Sequence, residues 1–320
     1  TVALTIIVVF GVVQAGGVDV VMEHAHALPG FLSFTETYDA NAGTAAPYGF
    51  IRILSMMAWG LGYFGMPHIL VRFMAIRDEG ELTLSRRIAA VWVVISMAVA
   101  VFIGIVGHAV SETGRIPFLE SNATETIIVR LAGLLSTYGV FAAIVAGCIL
   151  AGILAATMST ADSQLLVSAS SVAEDIFKGL LKKDADDKTV MNVSRVTVLV
   201  VAVLAYIIAW NPNNTVMGLV SNAWAGLGAA FGPLVVMSLY WKRTNFPGAV
   251  AGIVTGALAV VIWDYIPLVG GQTLGKATGL YSLVVGFGLG LIAIIAVSLA
   301  TKAPSEEMLQ EFEDVKANRL

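Results

Sequence analysis

Apolar and polar positions along this chain fall in long blocks rather than in stripes. Eight apolar runs can be drawn, at 2–22, 47–74, 88–110, 138–177, 191–209, 216–240, 248–268 and 279–301. Between them lie the polar connectors "EHAHALPGFLSFTETYDANAGTAAP", "AIRDEGELTLSRR", "SETGRIPFLESNATET", "KGLLKKDADDK", "NPNN", "WKRTNF" and "GGQTLGK". A charged tail follows from Lys302 and can form a short helix. Apolar runs of about twenty residues are long enough to cross hydrocarbon as helices, so the pattern predicts eight transmembrane helices. The 138–177 run is too long for the bilayer alone. As a straight helix it would reach about 60 Å, twice the hydrocarbon thickness. Its polar end, "SSVAEDIFKGLLKK", is expected to project into the cytosol, which puts "LAATMSTADSQLL" toward the cytoplasmic half of the membrane.

Composition agrees with this reading. Apolar residues make up 58% of the chain and charged residues 12%, with a mean hydropathy of +0.85. A soluble domain carries about a quarter charged residues. The net charge of −4 gives no indication of a nucleic-acid partner. Of the 18 Lys and Arg, only Arg52, Arg115, Arg130 and Lys276 fall on one side of the predicted topology; the other fourteen share the side of the 75–87, 178–190 and 241–247 loops and the tail. That bias assigns the second side to the cytoplasm. Cys148 stands alone in an apolar run and builds no disulfide framework. The opening "TVALTIIVVFGVV" has neither a charged n-region nor a small-residue cleavage site, so it does not read as a signal peptide. With no initial Met, the sequence is expected to be a fragment lacking an amino-terminal part.

Two stretches carry candidate chemistry. "AWGLGYFGMPHI" places Gly60, Gly62, Gly65 and Pro67 inside an apolar run, where they disfavour helix. In a bilayer a broken helix survives only where it is buried or lines a cavity, and transporters use such breaks to offer backbone groups to substrate and ion. Trp59, Tyr63 and Pro67 recur every four residues and would form a wall suited to a small ligand with an apolar body. The alternative is close helix packing by small residues, with the aromatics filling space. His68 reads as a hydrogen-bonded packing residue. "GLGYFG" also fits G-x-G-x-x-G, but without a strand, a βαβ context or a downstream acid it is no dinucleotide site.

The second stretch is "STADS". Ser159 and Ser163 lie one turn apart with Thr160 adjacent, and hydroxyls combined with helix carbonyls supply the oxygen ligands that hard cations want. Asp162 is one of few ionisable residues at membrane depth. The alternative is that these hydroxyls bond their own helix or glue neighbouring helices. Elsewhere, Gly248, Gly252 and Gly256 mark a packing face, as do Gly228 and Gly232, with Pro233 able to add a kink. Glu23, His24 and His26 are a weaker metal candidate in an extracellular loop, and Asn122 begins a glycosylation sequon.

Taken in order, "MAWGLGYFGMPHILVRFMA", "LAATMSTADSQLLVSASSVAEDIFK" and "VSNAWAGLGAAFGP" closely resemble the sodium/solute symporter family, from residue 1 into the tail. The resemblance implies an all-α polytopic membrane protein of the LeuT type: two inverted five-helix repeats, one span before them and two after. Counted back from the carboxyl end, the eight spans would be the last helix of the first repeat, the second repeat and the two extra helices. They would form one transmembrane region, 1–301, followed by a cytoplasmic tail, 302–320. Trp59, Tyr63 and Pro67 would occupy substrate-site positions. Ala156 (through its carbonyl), Ser159 and Thr160 would occupy sodium-site positions, and Ser163 a position implicated in a second sodium site in some relatives.

The implied function is import of L-proline coupled to sodium by alternating access, in a plasma membrane of bacterial inner-membrane type. It is not enzymatic and needs no cofactor beyond the co-transported sodium ion. Alternatives are another amino acid, pantothenate or a sugar as solute, a transporter-like sensor region, or a membrane enzyme. No signalling domain and no converging nucleophile, base and orienting group support the last two. The expected partners are proline, sodium, the lipid bilayer and the missing amino-terminal half, where the family's other broken helix would lie.

Overall fold

The first apolar run is helical but not straight. In the computed structural model, α1 (Val2–Ala15) ends at Gly16 and Gly17, whose φ angles of 102° and 121° belong to the region that only glycine enters freely. There α2 (Val18–Ala27) departs at 80°. The structure describes residues 2–40, 42–78, 80–210 and 215–317; the "NPNN" connector and Arg319 lie outside the described residues. Strands β1 (Glu36–Asp39) and β2 (Thr44–Pro47) pair antiparallel within the first connector. Next come α3 (Phe50–Met57), α4 (Trp59–Gly62) and α5 (Pro67–Met74), the pieces of the second run, bent by 53°.

Four long helices follow: α6 (Glu81–Glu112), then after the short α7 (Ile127–Ser136), α8 (Val140–Ser170), α9 (Asp187–Ala209) and α10 (Val216–Tyr240). The end of α8 loosens into a π-helical stretch, Ser171–Leu181, which makes a continuous helical segment of 42 residues. The chain closes with α11 (Phe246–Tyr265), the small hairpin β3 (Pro267–Val269) and β4 (Gln272–Thr273), α12 (Leu274–Thr278), α13 (Ser282–Ala300) and α14 (Glu306–Lys316). Among the described residues, six helices are long and apolar enough to cross a membrane, or eight if each bent pair is one span. The eight expected runs are recovered on that count.

The chain divides into two compact units. The first comprises Thr1–Pro47 and Ile76–Val216. Its core gathers Ile7, Val106, Val110 and Leu131, all fully buried, as α1 packs on α6 and α7 on α8. Gly11 allows the approach of α1 to α6, and Gly107 that of α6 to α7, since a methyl there would run into Val106 or Ile127 respectively. Buried Gln14 ties three elements together at the bend. Its side-chain oxygen accepts hydrogen bonds from Arg115 and, at 2.7 Å, from the Tyr138 hydroxyl. The helix α7 was not expected from the sequence; it earns its place by burying Leu131, Ala132 and Leu135.

The second unit comprises Tyr48–Ala75 and Met217–Leu320. Here the spacing of four at Gly248, Gly252 and Gly256 does what it predicts. All three are buried, and β-carbons there would overlap Ser298, Ile294 and the backbone of Ala229 respectively. Glycine thus brings α11 against α13 and α10 at backbone distance. Asn245 fastens one end of this layer. Its Oδ1 accepts from the Gly248 N–H at 3.0 Å, capping α11, while Nδ2 donates to the Thr301 hydroxyl at 2.8 Å and the Lys302 carbonyl at 2.7 Å. The tail helix α14 is held by Lys242 and Glu313, 3.1 Å apart.

Candidate functional site

Pro67 explains the break in the second run. It has no N–H for the carbonyl of Tyr63 and pushes the preceding residue out of helical geometry. Met66 accordingly sits at φ −89°, ψ 108°, Tyr63–Gly65 tightens into a 3-10 turn, and Pro67 becomes the first residue of α5. The glycines serve a different purpose. Gly62 and Gly65 are buried against α10, where a methyl would overlap the indole of Trp224 or the backbone at Leu227 and Gly228. Gly60 has no such neighbour within 4 Å. Proline breaks the helix, and two of the three glycines let it pack.

That packing builds an aromatic cluster in the second unit. Trp59 stacks with two rings, Trp224 with centroids 5.7 Å apart and Tyr281 at 6.0 Å. The Trp224 Nε1–H donates to the Trp59 carbonyl at 2.9 Å, so one residue fixes both the ring and the backbone of Trp59. Tyr63 meets Trp224 edge-on at 4.8 Å. Tyr281 is held in turn by its hydroxyl, which donates to the Ser221 carbonyl at 2.6 Å, and by its N–H, which donates to buried Ser55 at 3.0 Å. Tyr63 remains 56% exposed. The arrangement presents preorganised ring faces and edges, suited to a small apolar body or a cation.

The structure therefore brings Trp59 and Tyr63 onto a common partner, whereas Pro67 lies beyond the bend, at the start of α5. Trp224 and Tyr281 are members that sequence reasoning missed. Trp224 lay inside a motif read only for its glycines; Tyr281 carries no local signal.

In the first unit, Ala156, Ser159, Thr160 and Ser163 lie on α8. Their oxygens come in adjacent pairs. The Thr160 hydroxyl donates to the Ala156 carbonyl at 3.2 Å, and the Ser163 hydroxyl donates to the Ser159 carbonyl at 2.9 Å. These are the intrahelical bonds that the packing alternative expects. They do not remove the other possibility, because a hydroxyl that donates keeps lone pairs for a cation. Ala156, Ser159 and Thr160 are exposed on the surface of this unit, as is Asp162. Among the described residues no group of three His, Cys, Asp or Glu side chains could hold a metal ion, so Glu23, His24 and His26 do not assemble the loop site considered for them.

The profile of the Sodium:solute symporter family matches residues 1–256. The high-affinity proline transporter PutP of Bacillus subtilis (strain 168) is 42% identical over 262 residues, covering 82% of this chain and 52% of that protein. The sodium/proline symporter of Escherichia coli (strain K12) is 42% identical over 270 residues, covering 84% of this chain and 51% of its own length. Sodium/proline symporter 2 of Staphylococcus saprophyticus is 39% identical over 321 residues, covering 98% and 58%. The chain spans about half the length of the curated relatives it matches.

Proposed function

The chain belongs to the sodium:solute symporter family, and on that premise we propose that it works in a secondary transporter that imports L-proline together with sodium by alternating access. The fold is all-α, polytopic and LeuT-type, as in that family. The observation that carries the substrate reading is the stacking of Trp59 with Trp224 and Tyr281, with Tyr63 set edge-on to Trp224. Trp59, Tyr63 and Pro67 would hold the apolar ring of proline. The carbonyl of Ala156 and the hydroxyls of Ser159 and Thr160 would bind sodium, and Ser163 would serve a second ion. An amino-terminal half of the same transporter, outside this sequence, would complete both sites. The membrane is the bacterial cell membrane, and the sodium gradient supplies the energy without a cofactor. Bound sodium favours the arrangement that binds proline, so each raises the affinity of the other by the same factor.

The test is uptake in the full-length transporter. Trp59→Ala and Tyr63→Ala should weaken proline affinity at normal expression, each by about 2–4 kcal/mol for an aromatic anchor in a desolvated pocket. Ser159→Ala and Thr160→Ala should raise half-saturating sodium, while Thr160→Ser, which keeps the oxygen, should be much milder. Identical sodium dependence in all three variants and the parent would leave the hydroxyls as packing groups.

A further inference from the structure

Outside the aromatic cluster, the second unit also holds an open cavity lined by several polar side chains. Its volume is about 230 Å³, and its lining includes Asn222 of α10, Asp264 and Tyr265 at the end of α11, Thr273, and Gly275 and Lys276 of α12. The hollow is open to solvent, and a volume of that size admits a small guest.

Asp264 gives the cavity a negative pole. Its Oδ2 accepts a 2.5 Å hydrogen bond from the Ser282 hydroxyl. Its Oδ1 is directed toward α12, since a methyl on Gly275 would lie 2.9 Å from that oxygen. The carboxylate also stands in the last turn of α11, where the peptide dipoles end negative and no basic residue offsets them. Lys276 gives the positive pole. Among the described residues neither it nor Asp264 enters an ion pair within 4 Å. Two opposite charges thus share one cavity wall without neutralising each other. A bare cation would meet Lys276, and a bare anion would meet Asp264 and the helix end. A guest carrying both charges satisfies both poles.

We propose that this cavity is a second binding site for a small zwitterion, an amino or imino acid, with its ammonium on Asp264 and its carboxylate on Lys276. Asn222 and Thr273 supply neutral hydrogen-bonding groups beside the two poles. The site reads charge, whereas the aromatic cluster reads a ring, so it does not depend on which solute is transported.

The experiment is equilibrium binding of radiolabelled L-proline to the purified full-length transporter. Two equivalents are expected in the parent, one in Trp59→Ala and one in Lys276→Gln. The Lys276 side chain is exposed, so that variant leaves the fold intact. Asp264→Asn, which keeps an acceptor for Ser282, should weaken the same component at least about tenfold, as expected for loss of a charge-assisted contact. One equivalent in the parent that Trp59→Ala abolishes would overturn the cavity site and keep the transport reading. One equivalent that survives Trp59→Ala but not Lys276→Gln would support the cavity and count against Trp59. No binding in the parent would overturn both, and unchanged stoichiometry in Lys276→Gln would overturn the cavity.

Discussion

Replacing Gly62 with alanine sets two opposing effects on one methyl group. Alanine favours helix over glycine by about 0.8–1 kcal/mol. At Gly62 that methyl would overlap Nε1 and Cδ1 of the Trp224 indole. The indole cannot yield freely, because it stacks on Trp59 at 5.7 Å, receives Tyr63 at 4.8 Å and donates to the Trp59 carbonyl at 2.9 Å. Turning it away forfeits a hydrogen bond of about 0.5–1.5 kcal/mol and two ring contacts of about 0.5–1.5 kcal/mol each. Parting the helices instead costs about 1–3 kcal/mol, as overpacked cores do. Parting the helices is the cheaper route, and less the helical gain it leaves an expected net loss of up to about 2 kcal/mol. Gly60 is the matched control: with no packing neighbour within 4 Å beyond its own stretch of helix, its alanine carries the helical gain alone. Thermal midpoints of the two variants in detergent, followed by loss of the monodisperse gel-filtration peak, make the comparison. Gly62→Ala should fall below the parent and Gly60→Ala should match or exceed it. Equal midpoints for the two variants, or a lower one for Gly60→Ala, would refute this account of the glycines.

Asn245→Ala should lower the thermal midpoint through loss of the α11 cap, worth about 1 kcal/mol, together with the two bonds to Thr301 and Lys302; Asn245→Asp restores only the cap acceptor and should fall between. Gln14→Leu removes the acceptor shared by the Arg115 guanidinium and the Tyr138 hydroxyl; both donors are exposed, so the cost should be about 0.5–1.5 kcal/mol per bond, whereas Gln14→Glu keeps the acceptor and should be milder by the same assay. At the start of α9, the Thr189 hydroxyl donates to Asp186 at 2.5 Å and holds its carboxyl below the ordinary carboxylate range. A depressed pKa contributes stability above the unfolded value and loses it as pH falls through the folded one. Hydrogen-exchange protection of the Thr189 and Val190 amides should therefore fade only in acid, and at a higher pH in Thr189→Val.

The transmembrane plan was legible because hydropathy is a property of whole runs, and lipid imposes it on every residue of a span. The bend at Gly16 and Gly17 was not, since two glycines hardly alter the hydropathy of the 2–22 run. The ten residues of α7 are too few to register as a span, and the helix depends on what α1, α6 and α8 offer it. The glycine face of α11 was legible from its spacing of four, as were the hydroxyls of α8, because both patterns are local. The partners of Trp59 were not. Trp224 is 165 residues away, and Tyr281 meets Trp59 only once α13 has packed in the second unit.

The contact between α11 and α13 has a thermal consequence of its own. Gly286 and Gly290 turn a Cα–H toward the carbonyls of Gly256 and Gly252, where β-carbons would stand at 3.0 and 3.2 Å. Helices that meet inside lipid do not leave water as they meet, so their association draws little on the hydrophobic effect and lacks the heat-capacity change that accompanies apolar dehydration. What remains is dispersion, weak Cα–H···O attraction and the entropy of displaced lipid. A water-soluble core passes through a temperature of maximum stability and weakens on further cooling. The glycine seam of α11 and α13 lacks the apolar dehydration that produces that maximum.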